Sequence, residues 1–187
     1  MADTSKLVHT WQTALQHLKD GNKRHIESKT ITRNITLEER EILESGQEPF
    51  AIIVTCSDSR VSPEIYFDQQ LGHIFVIRNA GNIADSTALG SIEFAAEYLK
   101  SPLIVVVGHS NCGAVIGALK EGKYSENLQA IIDTIRPVVK GIKATDEAIH
   151  ANIAHVVNII KENKVVQKME TMVIGAYYNI KSGEVLF

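Results

Sequence analysis

Two apolar, β-branched runs dominate the chain: Ala51-Ile52-Ile53-Val54-Thr55 and Leu103-Ile104-Val105-Val106-Val107. Such runs read as buried strands of a parallel sheet covered by helices. Each leads straight into residues that bind soft metals. Cys56-Ser57-Asp58-Ser59-Arg60 follows the first, and His109-Ser110-Asn111-Cys112 follows the second after a glycine. Two parallel strands ending side by side would bring Cys56, His109 and Cys112 together at the carboxyl edge of the sheet. Two thiolates and one imidazole suit Zn²⁺, and three protein ligands leave the fourth tetrahedral position free, as a catalytic zinc requires. The competing reading is a pair of buried structural thiols. The His-x-x-Cys spacing and the two strand-end positions weigh against it.

From Pro49 onward strand and helix alternate, the signature of a parallel α/β sheet. Strands are predicted at 50–55, 73–78, 103–108 and 171–178. Helices are predicted at 86–100, 113–121, 127–140 and 145–163, the last with Thr145 at its N-cap. The ending from Tyr177 to Phe187 reads as a hairpin turning at Lys181-Ser182-Gly183. Before Pro49 there is no strand pattern. From about Ser5 to Ser45 the spacing is helical, with Leu7, Trp11, Leu15 and Leu18 on one face and Gly21 and Asn22 punctuating the first helix. The expected fold is α/β: a central, mostly parallel sheet flanked by helices, with an N-terminal helical arm (1–46) ahead of a zinc-binding core (47–187), one domain overall. The arm is expected to lay its apolar face on a partner subunit, with folding back onto its own core as the alternative.

The 187 residues suit one domain with a full core. A formal net charge of -3 carries no basic excess, so nucleic acid is not an expected partner. No run approaches the ~18 apolar residues of a membrane helix, so no membrane partner is expected either. The N-terminus lacks a signal-peptide core, and a lone pair of cysteines without one argues for a reducing compartment; the expected location is cytoplasmic.

Asp58 lies two residues beyond Cys56, and Arg60 two beyond that. In a loop leaving a strand, i and i+2 can face the same pocket. A carboxylate there can accept a proton from metal-bound water and orient the resulting hydroxide. Arg60 can hold it in a two-pronged grip and keep it ionised. The plainer reading has Asp58 capping the next helix and Arg60 as a surface charge. Asp58 is also close enough to become a fourth metal ligand and expel the water, an outcome that pairing with Arg60 disfavours.

Cys56-Ser57-Asp58-Ser59-Arg60 followed by Gly108-His109-Ser110-x-Cys112-Gly113 resembles the β-class carbonic anhydrases, in their plant-type and bacterial branch. Gly46-Gln47-x-Pro49, Pro63-Glu64-x-x-Phe67-Asp68, Phe75-Val76-Ile77-Arg78-Asn79-Ala80-Gly81-Asn82, Ser91-Ile92-Glu93-Phe94-Ala95 and the terminal Gly175-Ala176-Tyr177-Tyr178 are similar to family motifs in family order. The resemblance runs from about Asn22 to the end. It implies one Zn²⁺ per chain on Cys56, His109 and Cys112, an Asp58–Arg60 dyad, and reversible hydration of CO2 to bicarbonate by zinc-bound hydroxide. It further implies that Gln47 hydrogen-bonds substrate or product, that the Gly113 N–H meets the bound anion, and that Phe75, Ala80 and Phe94 line an apolar pocket. Two positions depart from the plant-type pattern: 94 is often Tyr there, and 80 a larger aliphatic. A homodimer or homotetramer with the zinc near the subunit interface is implied as well. Hydrolysis of COS or CS2 on the same centre, or a non-catalytic zinc-binding module, are the alternatives.

Overall fold

In the computed structural model, described over residues 10–31 and 35–187, five strands form one sheet in the order β2-β1-β3-β4-β5. β1 (Ala51–Cys56), β2 (Ile74–Asn79), β3 (Leu103–His109) and β4 (Met172–Tyr178) are parallel, and β5 (Val185–Leu186) pairs antiparallel with β4. The first four begin and end within one residue of the predicted positions. Every residue of β1 and β3 is buried, as continuous β-branched runs between two helical layers should be. From β1 the chain moves outward to β2, and from β3 it moves the other way to β4. The neighbours β1 and β3 thus send their connections in opposite directions. The crevice beyond their carboxyl ends is where open α/β sheets bind ligands.

Helix α7 (Thr145–Glu162) lies on β3 and β4, packed with α5 (Gly113–Leu119) and α6 (Glu126–Val139). The approach is close: a Cβ added at Gly108 or Gly175 would come within 2.6 Å of Ile153 on α7. On the opposite face Tyr66 of α3 (Pro63–Tyr66) stacks on Tyr178, ring centroids 4.5 Å apart. α4 (Ser86–Glu97) packs along β2 and against α8 (Lys164–Lys168). No helix of the described residues is long and apolar enough to cross a membrane.

Several predicted helix ends move. α4 stops at Glu97 rather than at 100, and Lys100 takes φ 57 just ahead of Pro102. α5 ends at Leu119, and α6 begins and ends one residue early. Ala144, not Thr145, is the N-cap of α7, and no side chain caps that end. At its far end the Asn163 side chain accepts the N–H groups of Val165 and Val166 and starts α8, a helix too short to show periodicity.

The N-terminal segment forms α1 (Trp11–Ile26) and α2 (Leu37–Glu44), each opened by a threonine capping box, Thr10 with Thr13 and Thr36 with Glu39. Gly21 and Asn22 do not end α1; they sit buried inside it. A Cβ at Gly21 would fall 1.7 Å from the Phe67 carbonyl oxygen, so the glycine lets α1 press against the end of α3. Asn22 donates to the Tyr66 and Gly183 carbonyls at 2.9 and 2.8 Å and accepts the Val185 N–H at 2.9 Å. Ala14 and Leu18 are 0% exposed, with Trp11 and Leu15 packed beside them, while Leu7 lies outside the described residues. In the described part of the stripe Leu18 is thus fully buried by its own chain, while Trp11 and Leu15 are partly buried. α2 differs: none of its residues is buried, and Leu37 and Ile42 are 63% and 70% exposed.

Candidate metal centre

Cys56 is the last residue of β1, His109 the last of β3, and Cys112 the N-cap of α5. The parallel pairing of the two strands delivers the three side chains to one point, with all ligand atoms within 4.8 Å of one another. The two sulfurs lie 4.0 Å apart. Tetrahedral coordination at a Zn–S distance of ~2.3 Å sets sulfurs about 3.8 Å apart, so the pair fits almost without movement. His109 Nδ1 hydrogen-bonds the Ser110 carbonyl at 3.0 Å, which places the ring hydrogen there and leaves Nε2 bare. That Nε2 is buried and has no hydrogen-bond partner. An orphaned ring nitrogen facing two thiols is the donor set of a zinc ion, and the residues fit one.

The thiols are linked. A hydrogen bond from Cys112, with weaker help from the Gly81 N–H, draws the Cys56 thiol well below its ordinary range. The hydrogen bond to Cys56, burial, and the charge on Cys56 push Cys112 up. The two thiols therefore titrate as a pair, with Cys56 the more acidic of the two.

Beside the sulfurs, Arg60 grips Asp58 with both prongs, Nε to Oδ1 at 2.9 Å and Nη2 to Oδ2 at 2.7 Å, and its backbone N–H adds a third bond at 3.0 Å. These bonds hold the Asp58 carboxyl well below the usual carboxylate range. Asp58 caps no helix; the N-cap of α3 is Ser62. Arg78 at the end of β2 fixes the same loop, donating to the Cys56 carbonyl at 3.2 Å and the Asp58 carbonyl at 2.8 Å. Neither Arg78 nor the Gly81 N–H has a part in the sequence reading. Their motif is visible there, but only the register pairing Cys56 with Asn79 shows what it stands beside.

The remaining predicted residues divide in two. Ala80 directly follows β2 at the metal end of the sheet, and Gly113 opens α5 next to Cys112, with nothing within 4 Å of where its Cβ would be. Gln47 is exposed and precedes β1, a strand about 17 Å long, so it lies at the opposite edge from Cys56. Phe75 pairs with Ile52, about 13 Å down the sheet from the Cys56 level. Phe94 of α4 is 46% exposed, 6.3 Å from the Phe75 ring and 5.6 Å from the Tyr98 ring. Within one chain these three do not meet the Cys56–His109–Cys112 cluster.

Residues 51–185 match the family described as carbonic anhydrase. The carbonic anhydrase of Mycolicibacterium smegmatis is 36% identical over an alignment of 195 residues that covers 97% of this chain and 93% of that protein. Among solved structures, the β-carbonic anhydrase CcaA superposes with a TM-score of 0.71 at 28% identity, over 94% of this chain and 93% of its own. A tetrameric β-carbonic anhydrase from Sordaria macrospora superposes with a TM-score of 0.73 over 94% of both chains, and at 24% identity that likeness speaks for the fold. A chain matched by this family over most of its length, and folded as its β-class members fold, belongs to the β-carbonic anhydrases and is an enzyme of their kind.

Proposed function

We propose that this chain hydrates CO2 reversibly to bicarbonate and a proton, with one Zn²⁺ bound by Cys56, His109 and Cys112. The observation that carries the reading is the bare, buried Nε2 of His109 aimed at two linked thiols where β1 and β3 end. When bound, zinc lowers the pKa of a water in its fourth position and supplies a nucleophile near neutral pH. Asp58, kept ionised and aimed by Arg60, would accept a hydrogen bond from a water or hydroxide held there and so orient it toward the substrate. With both prongs of Arg60 on it, the Asp58 carboxylate would be less available as a ligand to the metal. The Gly113 N–H stabilises the product anion, and Ala80 adds an apolar wall suited to an uncharged substrate.

Gln47, Phe75 and Phe94 complete the pocket only from a second copy of the chain. Their place at the far end of the sheet, roughly 13 Å or more from the Cys56 level within one subunit, supports this. The working unit is accordingly a homodimer, or a homotetramer built from dimers. Stopped-flow hydration of CO2 by the zinc-loaded protein tests the reaction. Faster turnover of COS or CS2 would reassign the substrate, and zinc binding without any turnover would make the centre structural.

A further inference from the structure

Helix α7 presents a buried stripe to the core: Ala148, Ile149, Ile153, Val156, Val157 and Ile160. One member of that stripe is polar. Asn152 is 2% exposed, and a buried amide is unfavourable there unless it is hydrogen-bonded. Its Nδ2 donates to the Gly81 carbonyl at 2.9 Å. From the same residue, the Gly81 N–H donates to Cys56 Sγ at 3.4 Å. A two-step connection therefore runs from the middle of α7 to a sulfur of the metal centre.

The turn it crosses has reason to need a hold. Gly81 has φ 75 and Asn82 φ 46, two left-handed residues in succession within the 3-10 turn Ala80–Asn82. Asn82 enters that region against its own Cβ, and glycine has the widest choice of alternatives. A side chain cannot supply the anchor, since a Cβ at Gly81 would stand 2.6 Å from Ile135 Cδ1 and 3.1 Å from Ala114 Cβ. The direction of the Gly81 N–H thus depends on what grips its backbone, and Asn152 grips the carbonyl.

The geometry points to Asn152 as a positioning residue of the metal centre: by pinning Gly81 it aims an N–H at Cys56 Sγ and so sets metal affinity and the donor strength of that thiolate. An N–H donated to a ligand sulfur withdraws charge from it and fixes its direction, and outer-shell partners of this sort govern affinity. The inference rests on Cys56 being a zinc ligand, which Cys56→Ala tests separately through loss of the metal.

Two variants of the full chain probe it, Asn152→Leu and the smaller, polar Asn152→Ser, which can hold a water and keeps the test open if the leucine variant does not fold. Val166→Ala on α8, a buried site with no connection to Cys56, serves as a control for general destabilisation. Zinc affinity is read by chelator competition, and thiolate donation by the sulfur-to-cobalt charge-transfer band of the cobalt-substituted protein. The Asn152 variants are expected to bind zinc on the order of 10-fold more weakly and to move the band to lower energy, with the control unchanged in both. An unaltered affinity and band, or a loss no greater than that of Val166→Ala at equal melting temperature, would overturn the assignment. If Cys56→Ala loses its zinc while the Asn152 variants match the wild type, the ligand assignment stands and the positioning role alone falls.

Discussion

His109 uses one ring nitrogen to hold the Ser110 carbonyl and leaves the other facing two sulfurs, so each of the three residues offers a donor that no neighbour replaces. Cys56→Ala, His109→Ala and Cys112→Ala are each expected to lose zinc and CO2 hydration together; stoichiometric zinc by atomic absorption in all three would exclude them as ligands. Asp58→Ala is expected to keep its zinc while hydration slows about 10²-fold or more, because only orientation of the nucleophile is lost. The pH dependence has a definite sign. Arg60 lowers the folded-state pKa of Asp58 below the unfolded value of ~3.9. Its stabilising effect is then fully present above pH ~4 and is lost only as pH falls through the lower folded value. The stability difference between wild type and Asp58→Asn should be flat from pH 5 to 8, and any activity step in that window belongs to another group. The Cys56–His109–Cys112 cluster and the Asp58–Arg60 pair were legible because they sit in short spacings at predicted strand ends. Gln47, Phe75 and Phe94 carried roles through the family likeness, but their distance from Cys56 could be read only from strand direction and register. Arg78 and the Gly81 N–H were hidden for a related reason: one acts on carbonyls and the other is itself backbone.

At the scale of elements, the strands were the readable part, since continuous apolar runs have few other uses. Helix boundaries were not, because Lys100 and Asn163 end or start helices through φ and side-chain capping rather than through pattern. The misreading of Gly21 is the most instructive. Glycine in a helix ordinarily weakens it, and replacing it with alanine ordinarily stabilises by up to ~1 kcal/mol. Here Gly21→Ala is expected to destabilise by roughly 2 kcal/mol or more, since the added methyl meets the Phe67 carbonyl; a raised melting temperature would show that α1 does not press on α3 as described. Asn22→Ala should be comparably severe, about 3 kcal/mol, because two carbonyls and one N–H lose a buried partner at once. Hydrogen exchange should then rise together in α1 and at Val185, elements far apart in sequence that one side chain ties together.

At the scale of the whole molecule, the proposed pocket takes its ligands from one chain and its Gln47 and phenylalanines from another. Mixing inactive Gln47→Ala and Cys56→Ala subunits tests this without a structure. In a mixed dimer one site receives both defects and the other neither, so activity should reappear on exchange of subunits; none would return if Gln47 served its own chain. Leu37→Glu with Ile42→Glu should weaken association in sedimentation while leaving the subunit's melting little changed, because both are exposed on α2 and α1 is secured within its own chain. The sheet also has two unequal borders. β5 is two residues long, a blunt edge, whereas β2 is six residues, largely apolar, and among the described residues paired only with β1. An open strand of that kind is a template onto which another chain can add its own. Subunits pulled apart at this face should therefore scatter light and precipitate rather than persist as soluble monomers, so that the second copy would guard the protein against its own aggregation.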